Sequence, residues 1–260
     1  MALAADIRTC LRFHHQLGVE YYPLTPQLQR CLAKKGEQPD TAACAQKVLQ
    51  PCPPSHPKKS LPANSAVTAE QLVLLHRDIE DCRLCTLASA RQGQVTGAGT
   101  IASRLLLIGD YSSQEVGFSA TALFGAAEDA MLWNMMRAIG LGPEDVYVTN
   151  TVKCCPRAAQ QPEQESEQRC LSYLRREIEL VRPRIICAMG EVAARSILGG
   201  SEPVARLRGR FHRYQYGGEE SDPVQVMVTF HPRFLLEHGD MKKAVWQDLQ
   251  MIQRQLRTLL

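Results

Sequence analysis

Four cysteines are spaced as metal ligands often are. Cys82 and Cys85 form a Cys-x-x-Cys turn within DCRLC, Cys154 follows an apolar run, and Cys170 stands 16 positions later in a helical pattern. Thiolates from two distant segments can converge on one centre, and four of them suit either a zinc ion or a 4Fe–4S cluster. The same residues would also serve as small buried hydrophobes, and spacing alone does not decide. The chain holds ten cysteines, and its start, MALAADIRTCLRFHHQ, is interrupted by Asp6 and Arg8, unlike the apolar core of a secretory signal. In a reducing cytoplasm, the expected location, such thiols read as ligands or core residues and not as a disulfide framework. A second set is polar. Asp110, Asn150 and His231 each stand at or just past the end of an apolar run. They supply a carboxylate, an amide that both donates and accepts, and an imidazole suited to donating a hydrogen bond or a proton.

The elements that must position these groups are legible as alternation. Segments 104–109 (RLLLIG), 145–150 (DVYVTN), 184–190 (RIICAMG) and 224–230 (VQVMVTF) are short, apolar and rich in β-branched residues, as strands buried on both faces are. Helical patterns lie between and after them at 125–140, 163–181, 191–198 and 241–259. Strands separated by helices predict a three-layer α/β/α sandwich around a central, mainly parallel four-stranded sheet. In such sheets the ligand site lies at the carboxyl ends of the strands, where Asp110, Asn150 and His231 fall. Residues 3–17 carry a helical stripe, and 1–34 are expected to be a helical N-terminal extension. Residues 35–66, rich in Pro, Ser and Lys, read as a linker, and 67–260 as the main domain.

Taken together, these motifs resemble the iron–sulphur uracil-DNA glycosylases of bacteria and archaea. The resemblance is carried by Cys82-x-x-Cys85, by Thr149-Asn150-Thr151-Val152-Lys153-Cys154, by Cys170, and by Thr229-Phe230-His231-Pro232. It extends from about Leu75 to Leu256, through AIGL, ELVRP, LRG and VWQDL. It implies a 4Fe–4S cluster on Cys82, Cys85, Cys154 and Cys170, with zinc as the alternative, and leaves Cys155 and Cys187 outside the ligand set. It also implies an enzyme that rotates uracil out of DNA and hydrolyses its N-glycosidic bond. In that role His231 would donate to the uracil oxygen, Asp110 would attend the sugar, and Asn150, Phe124 and Glu115 would bind the base.

This sequence departs from the family in its first motif. Asp110 stands for a glutamate, Ser112-Ser113 replaces a Pro-Gly pair, and the P-F-V-G segment reads Ala122-Leu123-Phe124-Gly125, so that either Phe124 serves from a neighbouring register or Leu123 replaces the ring. A catalytically impaired nucleic-acid-binding protein of the same fold is therefore the rival reading.

Composition bounds the partners. Hydrophobic residues make up 45% of the chain and charged residues 22%, at a net charge of +3. That is a globular balance. No apolar run approaches the roughly 20 residues of a membrane helix. DNA contact is expected locally: Arg208 and Arg210 in ARLRGRFHRY for phosphates, while Arg233, Phe234 and Leu235 after the His-Pro pair resemble the family's minor-groove loop, which implies an apolar wedge there. A monomer is expected, with residues 1–34 available to a protein partner.

Overall fold

The computed structural model describes residues 64–114, 119, 121–157, 161–216 and 222–259. The N-terminal helical segment, the linker up to residue 63, and Glu115 lie outside the described residues. Helix α1 spans Asn64–Glu80, so it begins three residues inside the stretch read as linker.

Four parallel strands form the centre: β3 (Leu105–Tyr111), β4 (Val146–Val152), β6 (Ile185–Met189) and β8 (Val224–Thr229). The full sheet has six strands in the order β2-β4-β3-β6-β8-β7. Its edges are the short antiparallel strands β2 (Ala98–Gly99) and β7 (Phe211–Tyr214), which extend the four strands expected. Two further strands, β1 (Arg91–Gln94) and β5 (Cys154–Pro156), pair as a separate ribbon. That ribbon carries Arg91 to Cys154.

Continuous apolar strands alternate their side chains between two covered faces. Leu105 and Leu107 enter one core with α3 (Ala126–Ala138) and α8 (Lys242–Thr258). Leu106 and Ile108 enter the other, with α1, α4 (Gln164–Val181) and α5 (Glu191–Leu198). Among the described residues are also the short helices α2 (Leu87–Ala90) and α6 (Val204–Leu207). A third, α7 (Pro232–Glu237), follows β8 directly.

Topology fixes where a ligand sits. The chain lays β4 on one side of β3 and then returns to lay β6 on the other. Strand order therefore reverses beside β3, and a crevice opens at the carboxyl ends there. Register pairs Gly109 with Asn150, so the last residues of β3 and β4 reach this crevice together.

Candidate active site and thiol nest

Asp110 leaves β3 and crosses to the start of α5. Its Oδ1 accepts the Ala193 N–H at 2.8 Å, so a carboxylate from another strand caps the helix amino terminus. Gly190 makes room for it: its φ is +108°, and a Cβ there would stand 2.3 Å from Asp110 Oδ2. Burial pushes the Asp110 carboxyl up to about 7, against the pull of the Ala193 N–H and of Arg233.

His231 follows β8 and is 4% exposed. Its Nδ1 accepts the Arg233 N–H at 3.1 Å, which leaves the ring proton on Nε2. That Nε2 is buried with no hydrogen-bond partner. Burial, helped by Arg233, lowers the imidazole to about 3, so it is neutral at physiological pH. Asn150, the fifth residue of β4, is fully buried. Its Nδ2 donates to the Leu123 carbonyl, and its Oδ1 has no partner.

Phe124 joins the two. Its ring centroid lies 4.9 Å from that of His231. A Cβ at Gly109 would stand 2.4 Å from the Phe124 ring and 2.7 Å from Asn150 Oδ1, so a bare glycine lets both approach. One unsatisfied donor and one unsatisfied acceptor thus flank a buried aromatic ring. Buried polar groups without partners are uncommon and call for an explanation.

A cavity of about 450 Å³ opens alongside, lined by Asp110, Tyr111, Gly190, Phe230, His231 and Arg233 among others. Phe124 and Asn150 do not line it. A neighbouring cavity of about 480 Å³ shares Arg233 and Glu237 with it. The first-motif loop between them has its own tether. Gln114 Nε2 donates to Ser112 Oγ at 3.1 Å and to the Ser119 carbonyl at 2.9 Å, so a side-chain amide organises the serine pair.

Several residues assigned to DNA are held inward. Arg208 grips Asp248 with two hydrogen bonds, at 3.0 and 2.9 Å, and also donates to the Ala244 carbonyl, which ties it to α8. Its guanidinium, expected to meet phosphates, is thus engaged within the fold. Arg206, Arg210 and Arg213 are exposed. Arg233 is a brace: it donates to Glu128 at 3.3 Å and to the Tyr111 carbonyl at 3.1 Å, and lies 4.7 Å over the Tyr111 ring. Phe234 is 37% exposed and stacks against Phe230 and His238. Leu235, expected as a wedge, is 1% exposed and belongs to the core. One residue on, Leu236 is 47% exposed. A step of about 100° around a helix separates these fates.

The thiols converge. Cys154 and Cys170 share a buried cluster with Leu87 and Val152, and Cys85 packs against it. Burial raises both thiols, Cys170 to about 11; the negative charge of Cys85 and Cys82 raises Cys154 further, and that of Cys154 and Cys85 raises Cys170. Arg91 Nη1 donates to Cys154 Sγ at 3.4 Å and to the Cys82 carbonyl at 3.0 Å. Cys155, next along β5, turns to the opposite side and enters the α3–α8 core, where Cys187 also lies. Among the described residues no group of three His, Cys, Asp or Glu side chains is drawn together tightly enough to hold a single ion. Cys154, Cys170 and Cys85 lie together, with Arg91 on the Cys154 sulphur and the Cys82 carbonyl, and thiols of this kind are the donors that a group taking four thiolates would use.

Lys153 connects the two sites. It is fully buried, paired with Glu177 on α4, and donates to Thr149 Oγ1 and the Asn150 carbonyl, each at 2.7 Å. The helix that carries Cys170 therefore also supports the strand end that carries Asn150.

Unpaired polar atoms at the carboxyl edge of a parallel sheet mark the molecule as a ligand-binding α/β/α sandwich. Residues 96–250 match the family model described as the Uracil DNA glycosylase superfamily, and the chain belongs to that superfamily. Among its relatives, the Type-4 uracil-DNA glycosylase of Archaeoglobus fulgidus is 28% identical over 187 residues, covering 70% of this chain and 92% of that protein. The Type-4 uracil-DNA glycosylase of Thermotoga maritima is 28% identical over 187 residues, covering 70% and 94%. A Type-5 uracil-DNA glycosylase of Pyrobaculum aerophilum is 38% identical over 129 residues, covering 49% and 52%. No helix among the described residues is long and apolar enough to cross a membrane.

Proposed function

We propose that this protein is a DNA-repair glycosylase that rotates uracil out of DNA and hydrolyses its N-glycosidic bond. One observation carries the reading: the buried, unpaired His231 Nε2–H and Asn150 Oδ1, with the Phe124 ring near both residues. Uracil presents a carbonyl next to an N3–H, the complement of that donor and acceptor, and a planar face for the ring. As the glycosidic bond breaks, negative charge gathers on the departing base. A neutral imidazole already aimed at the carbonyl stabilises that charge without first shedding a proton or ordering water. Positive charge gathers on the sugar, and ionised Asp110, on the cavity wall, offsets it and can orient the attacking water.

The exposed Phe234 and Leu236 suit the gap that a rotated base leaves in the duplex, and exposed Arg210 suits phosphates. Cys82, Cys85, Cys154 and Cys170 would hold a 4Fe–4S cluster. Such a cluster supplies no step of the hydrolysis; it ties the α1 end to β5 and α4.

The rival reading, binding without excision, draws on Asp110, whose carboxylate is already engaged at the α5 terminus. Release of free uracil from a labelled oligonucleotide separates the two. Excision by the native protein, with kcat lowered about 10²–10³-fold in His231→Ala, is the expected result. Tight binding of uracil-containing DNA with no release would overturn the proposal.

A further inference from the structure

We propose that Asp129 is a positioning residue: through the Leu123–Phe124 backbone it fixes which end of the Asn150 amide faces the base. The inference rests on the reading of this site as one that recognises uracil.

All four backbone polar groups of Leu123–Phe124 are tied. Asp129 Oδ2 accepts the Leu123 N–H at 2.8 Å, and Asp129 Oδ1 accepts the Phe124 N–H at 2.9 Å. The Phe124 carbonyl accepts the Ser113 N–H at 2.8 Å, and the Leu123 carbonyl accepts Asn150 Nδ2. Asp129 sits in the first turn of α3, just after Gly125. Its own N–H is bonded to the Gly125 carbonyl at 2.8 Å, so helix and gripped dipeptide form one rigid turn.

The consequence reaches Asn150. With its peptide units held by the carboxylate, Leu123 keeps its carbonyl turned to the Asn150 side chain. The amide must then present NH₂ to that carbonyl, because the reversed rotamer would oppose two buried acceptors. Oδ1 is thereby left on the Gly109 and Phe124 side, unpartnered. The site can only accept a hydrogen bond there. Uracil offers N3–H and satisfies it, whereas cytosine offers a bare ring nitrogen and leaves two acceptors facing each other. Asp129 therefore acts on base choice at one remove.

Asp129→Ala and Asp129→Asn test this beside the native protein. Two quantities are read: kcat/KM for uracil release, and the ratio of affinities for free uracil and free cytosine measured by calorimetry. Asp129→Ala is expected to lower kcat/KM about tenfold or more and to narrow the affinity ratio by about tenfold, the worth of a misdirected buried hydrogen bond. Asp129→Asn keeps one carbonyl acceptor and should fall between; it carries the test if the alanine variant does not fold. A drop in Tm with the uracil-to-cytosine ratio unchanged would show Asp129 to be merely structural and overturn the proposal. A native protein that releases no uracil would instead overturn the glycosylase reading, while the free-base ratio still decides the role of Asp129.

Discussion

At the scale of single residues, two groups with opposite shifts set the pH behaviour. Asp110 is raised to about 7 and His231 lowered to about 3, chiefly by burial. If ionised Asp110 is needed, log kcat/KM should climb with unit slope below about 7 and level off above it. No second acid limb from His231 should appear above pH 4, because its imidazole is already neutral there. Asp110→Asn should abolish the limb and leave a low, flat profile; a limb that survives in that variant would assign it elsewhere. The same shifts govern stability in opposite senses. The raised Asp110 contributes stability that is whole below its unfolded value of 3.8 and is lost as pH rises through about 7. The depressed His231 contributes stability that is whole above 6.5 and is lost as pH falls through about 3. Urea melts should therefore show the native protein losing stability relative to Asp110→Asn between about pH 4 and 7, a difference in which the His231 contribution, common to both, cancels.

At the scale of elements, one helical step and one strand edge separate structural from functional side chains. Leu235→Ala should cost about 2–5 kcal/mol by opening the α3–α8 core. Leu236→Ala should change stability by no more than about 0.5 kcal/mol, yet slow uracil release from duplex DNA more than from single strands. Equal effects on both substrates would remove Leu236 from the wedge. In the same way, Arg208→Ala strands the buried Asp248 carboxylate and should cost about 3–5 kcal/mol. Arg210→Ala should leave Tm in place and reduce the salt slope of DNA binding by about one. These pairs also show where sequence reasoning stopped. The parallel strands were readable because burial on both faces writes continuous apolar runs. β2 is two residues long and β7 reads FHRY, so neither edge carries that signal. Arg208 and Arg210 look alike in ARLRGRFHRY because the partner of the first, Asp248, lies forty residues away on α8. Asp129 resembled any acid favoured in a first helical turn, and only the fold shows Leu123 and Phe124 turned back onto it.

At the scale of the whole molecule, the thiol nest and the base site are joined parts of one scaffold. Cys82 and Cys85 follow α1, Cys154 opens β5, and Cys170 lies on α4, so a cluster on these four would cross-link these segments. The β1–β5 ribbon depends most on that link. It has only two strands, too few to be stable alone, and Arg91 reaches from it to Cys154 Sγ and the Cys82 carbonyl. The six-stranded sheet has two cores of its own and does not need the cluster to persist. If these thiols hold the proposed cluster, removing iron with a chelator under reducing conditions should therefore act unevenly. Absorbance near 400 nm should vanish, and amide protection should fall across 82–94 and 154–156 while β3, β6 and β8 keep theirs. Asn150 lies between the two regimes, held by the sheet but also supported through Lys153 and Glu177 on the helix of Cys170. Affinity for uracil-containing DNA should accordingly weaken before the sheet opens. Uniform loss of protection over all strands would mean that the cluster holds the entire fold, and no change at 82–94 would mean that these thiols carry no cross-link.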